Sequence, residues 1–198
     1  TEAKIADAAV VSLKSGRRNL IINGGFDVNQ RGTVDTTSGT NTYCLDRFWS
    51  SRSTVTQEVI SDGIINNAAR ITGTATGTPT IGTRLEVGSQ ILKSRVVTLS
   101  CRIRGSKAAS IGFGWIRDNL GTTLVSETTL PITTSWVTYS KTFTISADAN
   151  TYYDIYLANL GVFGGAVTDW VEIANVQLEF GSVATDFEHR SYGEELAL

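Results

Sequence analysis

A chain of 198 residues with 41% hydrophobic and 18% charged side chains can bury one sizeable core without staples or metal. Its net charge of -2 offers no basic excess with which to hold phosphates, so no nucleic-acid partner is expected. No apolar run approaches the length of about 20 residues that spans a bilayer, which argues against membrane insertion.

Thr, Ser, Gly and Asn supply much of the polarity, the palette of a β-rich, many-turned protein. Methionine is absent, position 1 included, so a piece of a longer protein is expected. Cys44 and Cys101 match neither a metal spacing nor a disulfide framework. Cys101 alternates in phase with Val97, Leu99 and Ile103, which predicts a buried thiol acting as a small hydrophobe.

In chain order, Glu2 to Leu13 is alanine-rich and ends at Lys14, Ser15 and Gly16, which predicts a short helix over 1–16. Such a helix is marginal alone in water, so its apolar side docks on its own domain or joins copies from other chains at the end of a shaft. From Asn19 the pattern changes to strands, with clean alternation over Ile81 to Val87 and Val97 to Arg104. Ala109, Ile111, Phe113 and Trp115 share a phase, which puts Trp115 in the core; Trp136 has the opposite phase to Val137 and Tyr139 and should point outward or sit at a strand start. In Val171 to Phe180 two period-two runs differ by one residue, predicting a β-bulge near Ala174 and Asn175. Roughly eight to ten short strands with no helix between them argue for an all-β jelly-roll sandwich of two antiparallel sheets over 17–198, with the short N-terminal helix before it.

Both ends carry recognisable motifs. Asn19-Leu20-Ile21-Ile22-Asn23-Gly24-Gly25-Phe26, then Gln30-Arg31-Gly32-Thr33 and Tyr43, Asp46, Arg47 and Phe48, form the first. Val176-Gln177-Leu178-Glu179, Gly181, Ala184-Thr185, Phe187-Glu188, Arg190-Ser191-Tyr192 and Glu195-Leu196 form the second. Together they resemble the distal receptor-binding β-sandwich, similar to a carbohydrate-binding module, of tail fibres and tailspikes in tailed bacteriophages and prophages. Asn29 and Asp186 depart from that pattern, and the middle of the chain is unmatched. The resemblance implies a homotrimeric virion protein at a tail fibre tip that binds a bacterial surface polysaccharide or lipopolysaccharide for host attachment. It also leaves room for a structural calcium, without assigning ligands; no cofactor is expected otherwise.

Asn23, Arg31, Asp46, Arg47, Glu179, Glu188 and Arg190 form a structural set of both charge signs around Phe26, Phe48, Phe180 and Phe187. Arginine forks suit carboxylates, so some of these are expected to tie the first loop to the last strand, a ligand site being the alternative. Sugar binding asks for aromatic faces and planar polar groups. Trp49, Trp115, Trp136 and Trp170 are available, with Tyr43, Tyr139, Tyr152, Tyr153 and Tyr156. The candidate ligand-binding set is Trp136, Trp170, Arg102 and Arg104, with Asp118, Asn119 and Asp169 at loop tips. No spacing of carboxylates singles out a catalytic pair, and His189 is the only histidine, so no catalytic residue is named and no enzyme is expected. Two alternatives remain: a trimerisation or capping head of a virion fibre, and a carbohydrate-binding module appended to a glycan hydrolase.

Overall fold

The computed structural model describes residues 17–36, 39–73, 78–85, 92–118, 120–146, 152–161 and 168–197. The six-stranded sheet runs β1 (Val34–Asp35), β4 (Ser53–Val59), β5 (Asn67–Gly73), β14 (Trp170–Phe180), β7 (Val96–Gly105) and β12 (Val137–Thr144). The eight-stranded sheet runs β10 (Thr123–Val125), β9 (Trp115–Asp118), β13 (Tyr153–Asn159), β6 (Thr80–Leu85), β3 (Phe48–Ser51) and β2 (Thr42–Leu45). Its remaining strands are β8 (Ala109–Phe113), which pairs with β13, and β11 (Thr128–Ile132), which pairs with β8. Every pairing is antiparallel.

Alternation drives this assembly. Ile71, Leu99, Ile103, Ile173, Val176 and Leu178 from the six-stranded sheet meet Phe48, Ile81, Leu85, Phe113, Ile116 and Ile155 from the other in one buried cluster. Each such side chain contributes about 1.5–3 kcal/mol relative to exposure, which is why the two inner faces define the fold. Cys101 joins the cluster, and burial pushes its thiol far above the usual range; Cys44 is pushed up to about 11, also by burial.

β14 shows how one strand serves two masters. Its register on β7 slips between Ala174 and Gln177, and Asn175 takes the left-handed conformation at φ 52°, which Asn tolerates better than most residues. Before the bulge Glu172 and Ala174 turn outward; after it Gln177 and Glu179 do, while Val176 and Leu178 stay in the core.

The chain ends meet on this strand. The Leu20 amide donates to the Leu178 carbonyl at 2.8 Å, the Val176 amide to the Gly24 carbonyl at 2.8 Å, and Asn19 bonds Val176 and Leu178 through its side-chain amide. Glu188 accepts the amides of Arg18 and Asn19, and Arg190 donates to the carbonyls of Asn19 and Ile21. Glu195, 7% exposed, accepts the Asn23 amide at 2.7 Å. Glu179 binds Thr185 through its amide and hydroxyl at 2.8 and 2.7 Å, so the tail covers the outer side of the second half of β14.

The helix expected over 1–16 lies outside the described residues. Among the described residues a helix stands at the other end: α1 (Tyr192–Leu196), with Ser191 and Glu194 forming a capping box. None of the helices among the described residues is long and apolar enough to cross a membrane.

Candidate functional site

Gly114 decides which way Trp115 points. Its φ of +67° ends β8 and restarts the strand in the opposite phase, so Ile116 fills the core and Trp115 turns to the outer face of the eight-stranded sheet. The expectation of a core Trp115 is thereby corrected; alternation could not carry through a left-handed residue.

Once outward, Trp115 falls into a row that crosses five strands. Tyr43 pairs with Trp49, Trp49 with Gly82, Gly82 with Tyr156, and Tyr156 with Trp115. The Tyr156 ring lies 4.5 Å from Trp115 and 4.7 Å, edge-on, from Trp49. Glycine at the centre makes this packing geometrically feasible: a Cβ on Gly82 would come within 2.4 Å of the Trp49 ring and 2.5 Å of the Ile155 carbonyl oxygen. Trp49 is 2% exposed and forms the floor, while Tyr43, at 40%, stands open at one end.

Polar rows flank the aromatic one. On one side Arg84, Asp154 and Arg117 are in register, with Arg84 forking onto Asp154 at 2.8 and 3.1 Å. Arg84 also stacks 3.8 Å from the Tyr152 ring centre, and Arg117 is held by the Gly121 carbonyl at 2.7 and 3.0 Å. On the other side Ser51, Thr80 and Asn159 are in register, and the Ser51 and Thr80 hydroxyls share a hydrogen bond of 2.8 Å. Trp49 Nε1 and Asn159 Oδ1 are a buried donor and acceptor with no partner among the described residues.

The face opens into two grooves. One of about 580 Å³ is lined by Asn41, Arg52, Thr80, Trp115, Arg117, Tyr156 and Asn159. The other, of about 300 Å³, is lined by Arg31, Tyr43, Asp46, Arg47 and Arg84. Stacking surface, hydroxyls, amides and guanidinium forks in adjacent rows are the chemistry that recognises a sugar ring and its hydroxyls.

The expected ligand-binding residues lie elsewhere. Trp136, Trp170, Arg102 and Arg104 gather on the outer face of the six-stranded sheet, around Glu172. Glu172 has no exposed surface; Arg70 donates to one of its oxygens at 2.9 and 2.5 Å and Arg104 to the other at 2.6 Å. The same guanidinium groups cover the rings, Arg104 at 4.7 Å from Trp136 and Arg70 at 4.7 Å from Trp170. Trp136 packs on Ile65, Ala68 and Ala174. Arg102 lines a cavity of about 420 Å³, shared with Asn175 and the tail residues 185–187 and His189.

At the loop tips, Asp118 is 5% exposed and its carboxylate closes its own turn onto the amides of Leu120 and Thr122, which corrects its placement as an exposed contact group. Asp169 pairs with Lys107, and Asn119 lies outside the described residues. Of the structural set, Asn23 takes φ 58° and bonds Val28 and the Asp46 carbonyl, and Asp46 accepts the Gln30 amide. Arg31 and Arg47 line the smaller groove. Among the described residues no three His, Cys, Asp or Glu side chains converge as for a metal.

No family model and no curated protein sequence matches the chain. Solved structures do. The CBM22-1 xylan-binding domain of Paenibacillus barcinonensis Xyn10C is 15% identical with a TM-score of 0.55, over 84% of this chain and 96% of that one. TmCBM61, solved in complex with β-1,4-galactotriose, is 15% identical with a TM-score of 0.53, over 83% and 100%. The enzymatically active domain of tailspike protein 4 of bacteriophage CBA120 is 13% identical with a TM-score of 0.54, over 82% of this chain but 21% of its own length. The likeness is one of fold: this chain has the β-sandwich of the carbohydrate-binding modules.

Proposed function

We propose that this chain is a non-catalytic glycan-binding domain whose site is the outer face of the eight-stranded sheet. The observation that carries the reading is the registered row Tyr43, Trp49, Gly82, Tyr156 and Trp115, open onto grooves at both ends. A saccharide laid across the strands stacks on Tyr156 and Trp115 and hydrogen-bonds the polar rows. Similarity to a xylan-binding domain and to a module solved in complex with galactotriose supports the class of ligand. Together with the terminal motifs and the tailspike likeness, we place the domain at a virion tail fibre tip, acting as a homotrimer on bacterial surface polysaccharide or lipopolysaccharide.

Coverage of the whole length of carbohydrate-binding modules favours a second reading, a module appended to a hydrolase. Light scattering separates the two, a trimer supporting the fibre tip and a monomer the appended module. Affinity electrophoresis in gels containing extracted bacterial surface polysaccharides tests the site: retardation that Tyr156→Ala abolishes while thermal unfolding stays cooperative supports it. Retardation unchanged by Tyr156→Ala and by Trp115→Ala would remove it.

A further inference from the structure

We infer that the Tyr43 end of the groove selects a sugar bearing a carboxylate, so that the ligand is an acidic polysaccharide; this rests on the glycan-binding reading above. The chain as a whole is acidic, at -2, yet its charges are unevenly spread. Arg31, Arg47, Arg52, Arg84 and Arg117 line the two grooves of this face, against Asp46 and Asp154 and, at the far rim, Glu127.

The acids are already engaged. Asp154 is forked by Arg84, Asp46 accepts the Gln30 amide, and Glu127 accepts from Asn159 with Lys141 in its field. Arg31 is not: exposed, it makes no ion pair among the described residues and stands 6.0 Å from the centre of the Tyr43 ring. Arg31, Arg47 and Arg84 thus surround a groove of about 300 Å³ walled by an open tyrosine. A ring stacked on Tyr43 would bring an equatorial carboxylate within reach of the Arg31 fork, a planar two-donor match that a hydroxyl does not make.

The backbone also holds Arg47 at the rim. Arg47 takes φ 70° with its carbonyl accepting the Thr83 hydroxyl, so its position is fixed by β6 and not by a loose loop. Because the cations are near solvent, their pull is screened by salt while stacking is not.

The test prints bacterial surface polysaccharides in two forms, native and carboxyl-reduced, the reduction turning uronic acids into neutral sugars with linkages intact. The protein is expected to bind uronate-containing polysaccharides, to lose about ten-fold or more on reduction, and to lose about as much through Arg31→Ala with thermal stability unchanged. Arg31→Lys should recover only part, since an ammonium lacks the fork. Binding that is indifferent to carboxyl reduction and to Arg31→Ala, yet abolished by Tyr156→Ala, overturns the acidic preference and leaves the glycan site standing. Binding to no polysaccharide in either form overturns the glycan reading itself.

Discussion

The two outer faces of the sandwich use the same side chains to opposite ends. On the six-stranded sheet Trp136 and Trp170 lie beneath Arg104 and Arg70, and both guanidinium groups are locked to the fully buried Glu172, with the tail laid over the second half of β14. On the eight-stranded sheet Arg117 also lies over a ring, 4.9 Å from the centre of Trp115, but Arg117 and Arg84 are anchored by a turn carbonyl and an in-plane aspartate, and Trp115 and Tyr156 border an open groove. The lesson is that an aromatic and an arginine on one strand face do not make a binding site by themselves. Where a fully buried carboxylate locks the arginines, they pin the rings of Trp136 and Trp170; where a turn carbonyl and a half-buried aspartate anchor them, Trp115 and Tyr156 border a groove.

The sharpest way to break this contrast is Glu172→Ala. It strands two arginines over a desolvated position, and because each retains a solvated edge the cost should be about 3 kcal/mol, roughly 6–12 °C in melting temperature, with glycan affinity unchanged. A comparable loss of affinity would mean that the six-stranded face binds. Next in size, Trp115→Ala should weaken binding about 30-fold, or about 2 kcal/mol, in isothermal titration calorimetry, while Trp136→Ala leaves the affinity where it was.

Gly82→Ala sharpens the account of the row itself. The new methyl must displace Trp49 or the Ile155 carbonyl, so denaturant unfolding should show a loss of about 1–2 kcal/mol and the affinity should fall with it. The smallest effect concerns Glu188, where burial raises the carboxyl pKa but the amides of Asn19 and Arg18 and the Arg190 guanidinium outweigh it, holding it below the ordinary 4.5. A depressed folded pKa gives stability that is present above 4.5 and lost as the pH falls through the folded value. Glu188→Gln should therefore flatten the acid limb of the stability profile without touching glycan binding.

The two-sheet shell was legible because period-two alternation is a local signal, and so was the bulge at Asn175, where a phase slip is written in consecutive residues. The outward turn of Trp136 was legible for the same reason. The row was not. Tyr43 and Trp115 are far apart in sequence, and their common register depends on the pairings of β3, β6 and β13, which one chain does not encode in any short window. Gly114 and Gly82 were the available clues, the first because a glycine before an aromatic can invert a strand's phase, the second because a glycine amid alternating β-formers marks a close approach. That Arg31 and Arg47 line a groove was hidden for another reason: the terminal motifs group them with residues that join the ends, and only the folded sheet sets them beside Tyr43 and Arg84.

Four tryptophans report on both faces at once, and that allows one direct measurement. In a heteronuclear NMR titration with the bound polysaccharide's oligosaccharide, the indole N–H signals of Trp115 and Trp49 should shift progressively while those of Trp136 and Trp170 stay in place. Movement of Trp136 and Trp170 with Trp115 and Trp49 unmoved would contradict the assignment of the site to the eight-stranded sheet.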